Sequence, residues 1–133
     1  MMMVDEVAEK DCPFSPDTPL YMSWVDIHGY VSGALSIVAQ QNFITTLTCN
    51  LLGLDAGETP SEADCHDALR EMGNVLAGNY FTEAYGEDVV FDVINPNITE
   101  VPFEILESIA ARRVKYYFVA DESPIVITFS LRE

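Results

Sequence analysis

Glu71 and Asn74 stand three residues apart in "REMGNVLAGNYF", residues 70–81, where Met72, Leu76 and Tyr80 recur at helical spacing. A carboxylate and a carboxamide one helical turn apart can act together on a single partner. The amide both donates and accepts hydrogen bonds, so it can hold a water molecule in a set orientation. It cannot deprotonate that water strongly. Such a group suits a reaction that needs positioning more than base strength, as when an amide orients the water that attacks a phosphoryl group.

The same stretch carries two glycines and two asparagines, and each interior glycine costs a helix about 1 kcal/mol relative to alanine. On a wheel at about 100° per residue, Cys65, Leu69, Met72, Leu76 and Tyr80 gather into one arc, the expected core face. Asp67, Glu71, Asn74 and Gly78 fall on the far side. Gly78 lies one turn beyond Asn74 and presents no side chain, which would let a partner approach the helix closely. The bland reading is a solvated face, with Glu71 paired to Arg70 or to nothing and Asn74 merely tolerated. Spacing alone leaves both readings open.

Other constellations are poorer. Asp64, Asp67 and Glu71, at i, i+3 and i+7, would hold a divalent cation only with further ligands brought from elsewhere. His28 and His66 have no second histidine or cysteine at zinc-ligand spacing. The chain shows no glycine-rich phosphate loop, nucleophile elbow or HExxH. Cys12, Cys49 and Cys65 are odd in number and form no CxxC, so free thiols in a reducing compartment are expected rather than disulfides or a zinc ribbon.

The elements that would position the pair can be read from punctuation and period. Residues 1–19, acidic and then proline-rich ("CPFSPDTPL"), read as a loosely ordered lead-in, and residues 20–133 as a single domain. Leu20–Ile27 and "ALSIVAQ" read as a hairpin turning through "GYVSG", residues 29–33. From Gln41 the period lengthens: Phe43, Leu47 and Leu51, with Ile44 alongside, predict an amphipathic helix that Gly53 and Gly57 end. Thr59 as N-cap, Pro60 at the first position and Glu62 at N3 predict the start of a long helix running to Tyr85, where Gly86 stops it. "DVVFDVI" (88–94) reads as a strand, "NPN" (95–97) as a turn and "PFEILESIA" (102–110) as a short helix. "VKYYFVA" and "IVITFSL" flank the turn residues "DESP" as a second hairpin. The whole predicts an α+β domain, long helices packed on one face of a mainly antiparallel sheet.

Of the 133 residues 22 are acidic and 6 basic, a net charge of −16. That balance argues against nucleic acid or an anionic membrane as partner, since both need a cationic surface. Four of the basic residues, Arg112, Arg113, Lys115 and Arg132, lie near the C-terminal end and could form a small basic patch. "MMMVDEVAEKD" lacks the features of a signal peptide, and "VSGALSIVAQ" is too short and polar to span a bilayer. A soluble, cytoplasmic protein is expected.

"DALREMGNVLAGNYF" closely resembles the signature of the CheX/CheC/FliY family of chemotaxis phosphatases, in its single-motif, CheX-like branch. That pattern is an acidic residue, Glu-(hydrophobic)-(Gly/Ala)-Asn, two or three apolar positions and Gly-Asn. Here it is met by Asp67, by Glu71-Met72-Gly73-Asn74, by Val75-Leu76-Ala77 and by Gly78-Asn79. "IHGYVSGALSIVAQ" resembles the family's upstream hairpin, and "VFDVINPNI" the strand and proline that follow its motif helix. The resemblance implies a CheX/CheC-like fold and hydrolysis of the aspartyl-phosphate on a CheY-type receiver domain, in chemotaxis or another two-component pathway. It implies that Asn74 orients the attacking water and that Glu71 engages the receiver's lysine. The magnesium ion would belong to the receiver, and this chain would need no cofactor of its own. Homodimerisation through sheet edges is also implied. Two departures stand out: one E-x-x-N rather than two, and a short lead-in where CheX-like proteins commonly begin with a helix. The competing reading is a non-catalytic receiver-binding or flagellar-switch-like scaffold module.

Overall fold

The computed structural model describes residues 4–30, 32–55, 57–86, 88, 91–112 and 114–132. Among the described residues six strands form one antiparallel sheet in the order β1-β5-β6-β3-β2-β4. In the chain they are β1 (Val4–Val7), β2 (Leu20–Gly29), β3 (Ser32–Gln40), β4 (Phe91–Val101), β5 (Val114–Ala120) and β6 (Ser123–Arg132). Helix α1 (Gln41–Leu52) follows β3, α2 (Glu62–Tyr85) precedes β4, and a short α3 (Ile105–Ala110) lies between β4 and β5. This is the expected α+β architecture.

Both predicted hairpins form, because alternation serves each of them on two faces. In β6, Ile125, Ile127 and Phe129 enter the core beneath the long helices, whereas Val126 points to the opposite face. The β5–β6 connection is Asp121-Glu122, both with positive φ (47° and 70°), the left-handed pair that a two-residue hairpin demands. The helix-side core also holds Val25 and Ile27 from β2, Leu35 and Ile37 from β3, and Phe43 and Ile44 from α1. Leu51, expected on the core face of α1, is 55% exposed, because α1 runs past its cover in its last turn. Gly53 closes α1 in the left-handed conformation at φ 65°.

The opposite face has a smaller cluster of Leu20, Val38, Ile109, Tyr117 and Val126, against which Cys12, Phe14 and Ile105 pack. The stretch read as a loosely ordered lead-in therefore contributes to the sheet. Val4–Val7 pair antiparallel with β5, Val4 opposite Ala120 and Val7 opposite Tyr117. Gln40, 2% exposed, then clamps the following loop. Its amide donates to the carbonyls of Ser15 (2.6 Å) and Thr18 (3.2 Å) and accepts from the Ser15 N–H (3.0 Å). A buried amide so fully paired costs little and fixes where the loop must run. Burial pushes the Cys12 thiol from its ordinary 9.0 to about 11, so it stays protonated at neutral pH and serves as packing.

Two local readings are corrected. The "NPN" segment is not a turn: β4 continues through it to Val101. Trp24 pairs with Asn97 and Asp26 with Ile94, so Asn95 and Pro96 together stand opposite Val25. Pro96 sits in this bulge on an outermost strand, where its missing N–H breaks no regular ladder. Val89 and Val90, in the predicted start of that strand, lie outside the described residues, as does Arg113 of the basic group. The start of α2 is the second correction. Its N-cap is Ser61, whose hydroxyl accepts from the Asp64 N–H at 3.1 Å, so Pro60 precedes the helix and Glu62 opens it. Thr59 lies outside.

Candidate functional site

α2 settles on the sheet through Cys65, Leu69, Gly73, Ala77 and Phe81, every fourth residue, all buried. This stripe is rotated from the predicted one: Met72, Leu76 and Tyr80 are only partly buried and pack at its margin. The reason is the close approach of helix and sheet. A Cβ on Gly73 would already touch Ile37 Cδ1 and Val25 Cγ1 at 3.8 Å, so small residues lie at the centre of the contact. Met72, Leu76 and Tyr80, being larger, fill the flank, where Tyr80 stacks on Phe129 with ring centroids 4.0 Å apart. The small-residue stripe weakens the helix intrinsically and is offset by that packing.

The rotation does not bury the pair. Asp67, Glu71, Asn74 and Gly78 are all exposed, along the side of α2 turned away from the sheet. Residues three apart on a helix place their Cβ atoms about 5–6 Å from each other, so the carboxylate of Glu71 and the amide of Asn74 can meet one partner together. Arg70 binds Asp67 at 3.3 Å, leaving Glu71 out of that surface pair. Among the described residues, neither the Glu71 carboxylate nor the Asn74 amide has a side-chain hydrogen bond or ion pair. A Cβ on Gly78 would meet nothing within 4 Å, so space above the stripe is open. Val75, beside Asn74, is 51% exposed and adds apolar surface that the sequence reading counted only as part of the motif. Its position 100° around the wheel from Asn74 was the available signal.

The site is a convex helix face. A cavity of about 430 Å³ near the starts of α1 and α2, of mixed lining that includes Tyr21, Ile44, Thr45, Pro60, Glu62 and His66, does not reach Glu71 or Asn74. His66 there approaches Glu62 at 3.7 Å. Among the described residues no three His, Cys, Asp or Glu side chains are grouped to hold a metal ion. Among the same residues no helix is long and apolar enough to cross a membrane. An exposed pair on a convex surface cannot enclose a small molecule. Chemistry at such a pair would require a partner that brings the reacting group and the rest of the site with it.

Residues 21–117 match the family model described as "Chemotaxis phosphatase CheX", a span that contains the whole of α2 and β4. A comparison with curated protein sequences finds no match. Among solved structures, a CheX from Desulfovibrio desulfuricans superposes with a TM-score of 0.66 at 14% identity, covering 98% of this chain and 87% of that one. A chain of the CheX–CheY–BeF3–Mg2+ complex from Borrelia burgdorferi gives a TM-score of 0.60 at 18% identity, covering 93% and 90%. A chemotactic CheC-like protein from Shewanella oneidensis gives 0.62 at 13%, covering 98% and 84%. At such identities these likenesses speak to the fold.

Proposed function

The chain belongs to the CheX family of chemotaxis phosphatases, and from that premise we propose that it hydrolyses the aspartyl-phosphate of a CheY-type receiver domain, with Glu71 and Asn74 as its working pair. The observation that carries the proposal is the unpartnered, exposed Glu71/Asn74 stripe with open space over Gly78. The stripe is shaped to enter another protein's site. The solved complex of a family neighbour, which holds CheY, BeF3 and Mg2+, supports a receiver as that partner.

In this reading Asn74 enters the receiver's active site. Its carbonyl oxygen accepts from a water molecule and its amide holds the water's orientation, so the oxygen faces phosphorus in line with the aspartyl oxygen. The water oxygen bonds to phosphorus as the bond to the aspartyl oxygen breaks, and the free carboxylate and inorganic phosphate are released. Mg2+ on the receiver neutralises the developing charge. Glu71 pairs with a receiver lysine, which orients the whole approach; the surrounding acidic surface raises the encounter rate more than the affinity.

The test is the decay of acid-labile phosphate on a set of receiver domains, with this protein at substoichiometric amounts. We expect turnover on a cognate receiver. Asn74→Ala should reduce the acceleration by about 10²-fold or more, since it removes the positioning of the nucleophile. Glu71→Ala should chiefly raise the concentration needed. Unchanged decay with retained binding would instead make the stripe a docking surface of a non-catalytic module.

Family membership also supports pairing of two copies through a sheet edge. β4 and β1 are the outermost strands, and β4, at 11 residues, is the longer. Sedimentation equilibrium should then show a dimer; a monomer throughout would remove this part of the proposal.

A further inference from the structure

The sheet consists of two hairpins, β2–β3 and β5–β6, joined through β3 and β6 and flanked by β4 on one side and β1 on the other. On the helix side the first half is roofed. α2 packs over β4, β2 and β3, and α1 over β3 and β6. Beyond β6, over β5 and β1, this roof thins. Phe118 of β5 and Val4 of β1 meet the flank of α2 at Leu76 around an apolar cavity of about 280 Å³. Through Leu76 and Phe118 this runs on into a second hollow of about 520 Å³, bordered by Tyr116 and by the carboxylates of Glu6 and Glu83. Val4 is 55% exposed and Tyr116 38%. The two hollows make one trough, apolar along its floor, acidic at its rim and, among the described residues, without a basic side chain in its lining. An apolar surface rimmed by polar groups marks an interaction site.

We propose that this trough is the seat of an amphipathic helix supplied by another protein, apolar on its inner face and rich in lysine or arginine along its flanks. A helix with side chains is about 10–12 Å across. Laid on β5 beside α2, it would cover Phe118, Tyr116 and Val4 as α2 covers Val25 and Ile37. One apolar stripe of such a helix fits a trough of this kind. Charge selects the flanks: Glu6 and Glu83 at the rim, on a chain of net charge −16, attract a basic partner. The same rim disfavours an acidic segment of a second copy as the occupant of the trough itself. The proposal is independent of the phosphatase reading, since Glu71 and Asn74 do not line the trough.

The experiment uses the full chain and a synthetic leucine/lysine peptide of about 15 residues patterned as an amphipathic helix. A leucine/glutamate peptide with the same apolar face is the control. Fluorescence anisotropy and amide chemical-shift mapping are read together. The expected result is saturable binding of the lysine peptide only, with shifts centred on Val4, Leu76, Tyr116 and Phe118. Val4→Asp and Tyr116→Glu, both at exposed positions, should each weaken it by about tenfold or more. The double change Glu6→Lys with Glu83→Lys should weaken it and flatten its salt dependence. Absence of saturable binding overturns the proposal. So does binding of equal strength to the Val4→Asp and Tyr116→Glu variants, which would be attraction to net charge alone. A dimer that these two substitutions dissolve also overturns it, by placing a second copy in the trough.

Discussion

Along the buried side of α2, Cys65, Leu69, Gly73, Ala77 and Phe81 bring helix and sheet into close contact; along the exposed side, Asp67, Glu71, Asn74 and Gly78 face open solvent. Each side has a glycine, and the two do different work. Gly73 lies at the centre of a packed contact, whereas Gly78 keeps an approach path clear. One side of the helix maintains the fold and the other is free to be spent on a partner, so substitutions on the two sides should separate stability from activity.

The largest expected effect is on the buried side. Phe81 is 1% exposed, and Phe81→Ala should cost about 3–5 kcal/mol of stability in urea unfolding, a large share of what a domain of this size possesses. Activity per folded molecule should stay near normal; a loss of activity matching Asn74→Ala would break the separation. Gly78→Leu is the converse. It should leave stability level or raise it by about 0.5–1 kcal/mol through helix propensity. Its receiver-directed activity should fall by roughly tenfold, as bulk enters the docking path. Wild-type activity in that variant would show that nothing approaches the helix there. The smallest effect is Gly73→Ala. The added methyl lands at ordinary contact distance from Ile37 and Val25, so thermal unfolding should move upward by no more than about 1 kcal/mol, with activity unchanged.

How much of this was legible follows the same division. The exposure of the stripe was read correctly from the wheel, because it depends only on helical geometry and on polar residues that the sheet does not bury. The buried stripe was misread by the same wheel. Weighting Met72, Leu76 and Tyr80 by size assumes that large apolar residues mark the centre of a contact. Where a helix lies close on a sheet the centre belongs to Gly73 and Ala77, and size moves to the margin. The hairpins β2–β3 and β5–β6 were visible as alternation closed by turn residues. β4 was cut short because Asn95, Pro96 and Asn97 carry turn chemistry, and only the pairing with β2 shows that two of them share a bulge opposite Val25. β1 was missed for a related reason. "VDEV" is short and mostly exposed, and its strand character comes from the edge of β5 rather than from its own residues.

The middle of the sheet joins distant parts of the chain: Gly33 of β3 pairs with Leu131 of β6, and Ala39 with Ile125. A hairpin can zip locally, but this seam cannot form until a very long loop has been closed, and the entropy of that closure comes before any contact rewards it. Folding should therefore be limited by a late meeting of two preformed halves, on the slow side for a domain of this size. Until they meet, β3 shows a bare and strongly apolar edge, Leu35 and Ile37 among its residues. In a crowded cell that interval, more than the finished fold, is where this chain is most exposed to pairing with the wrong strand.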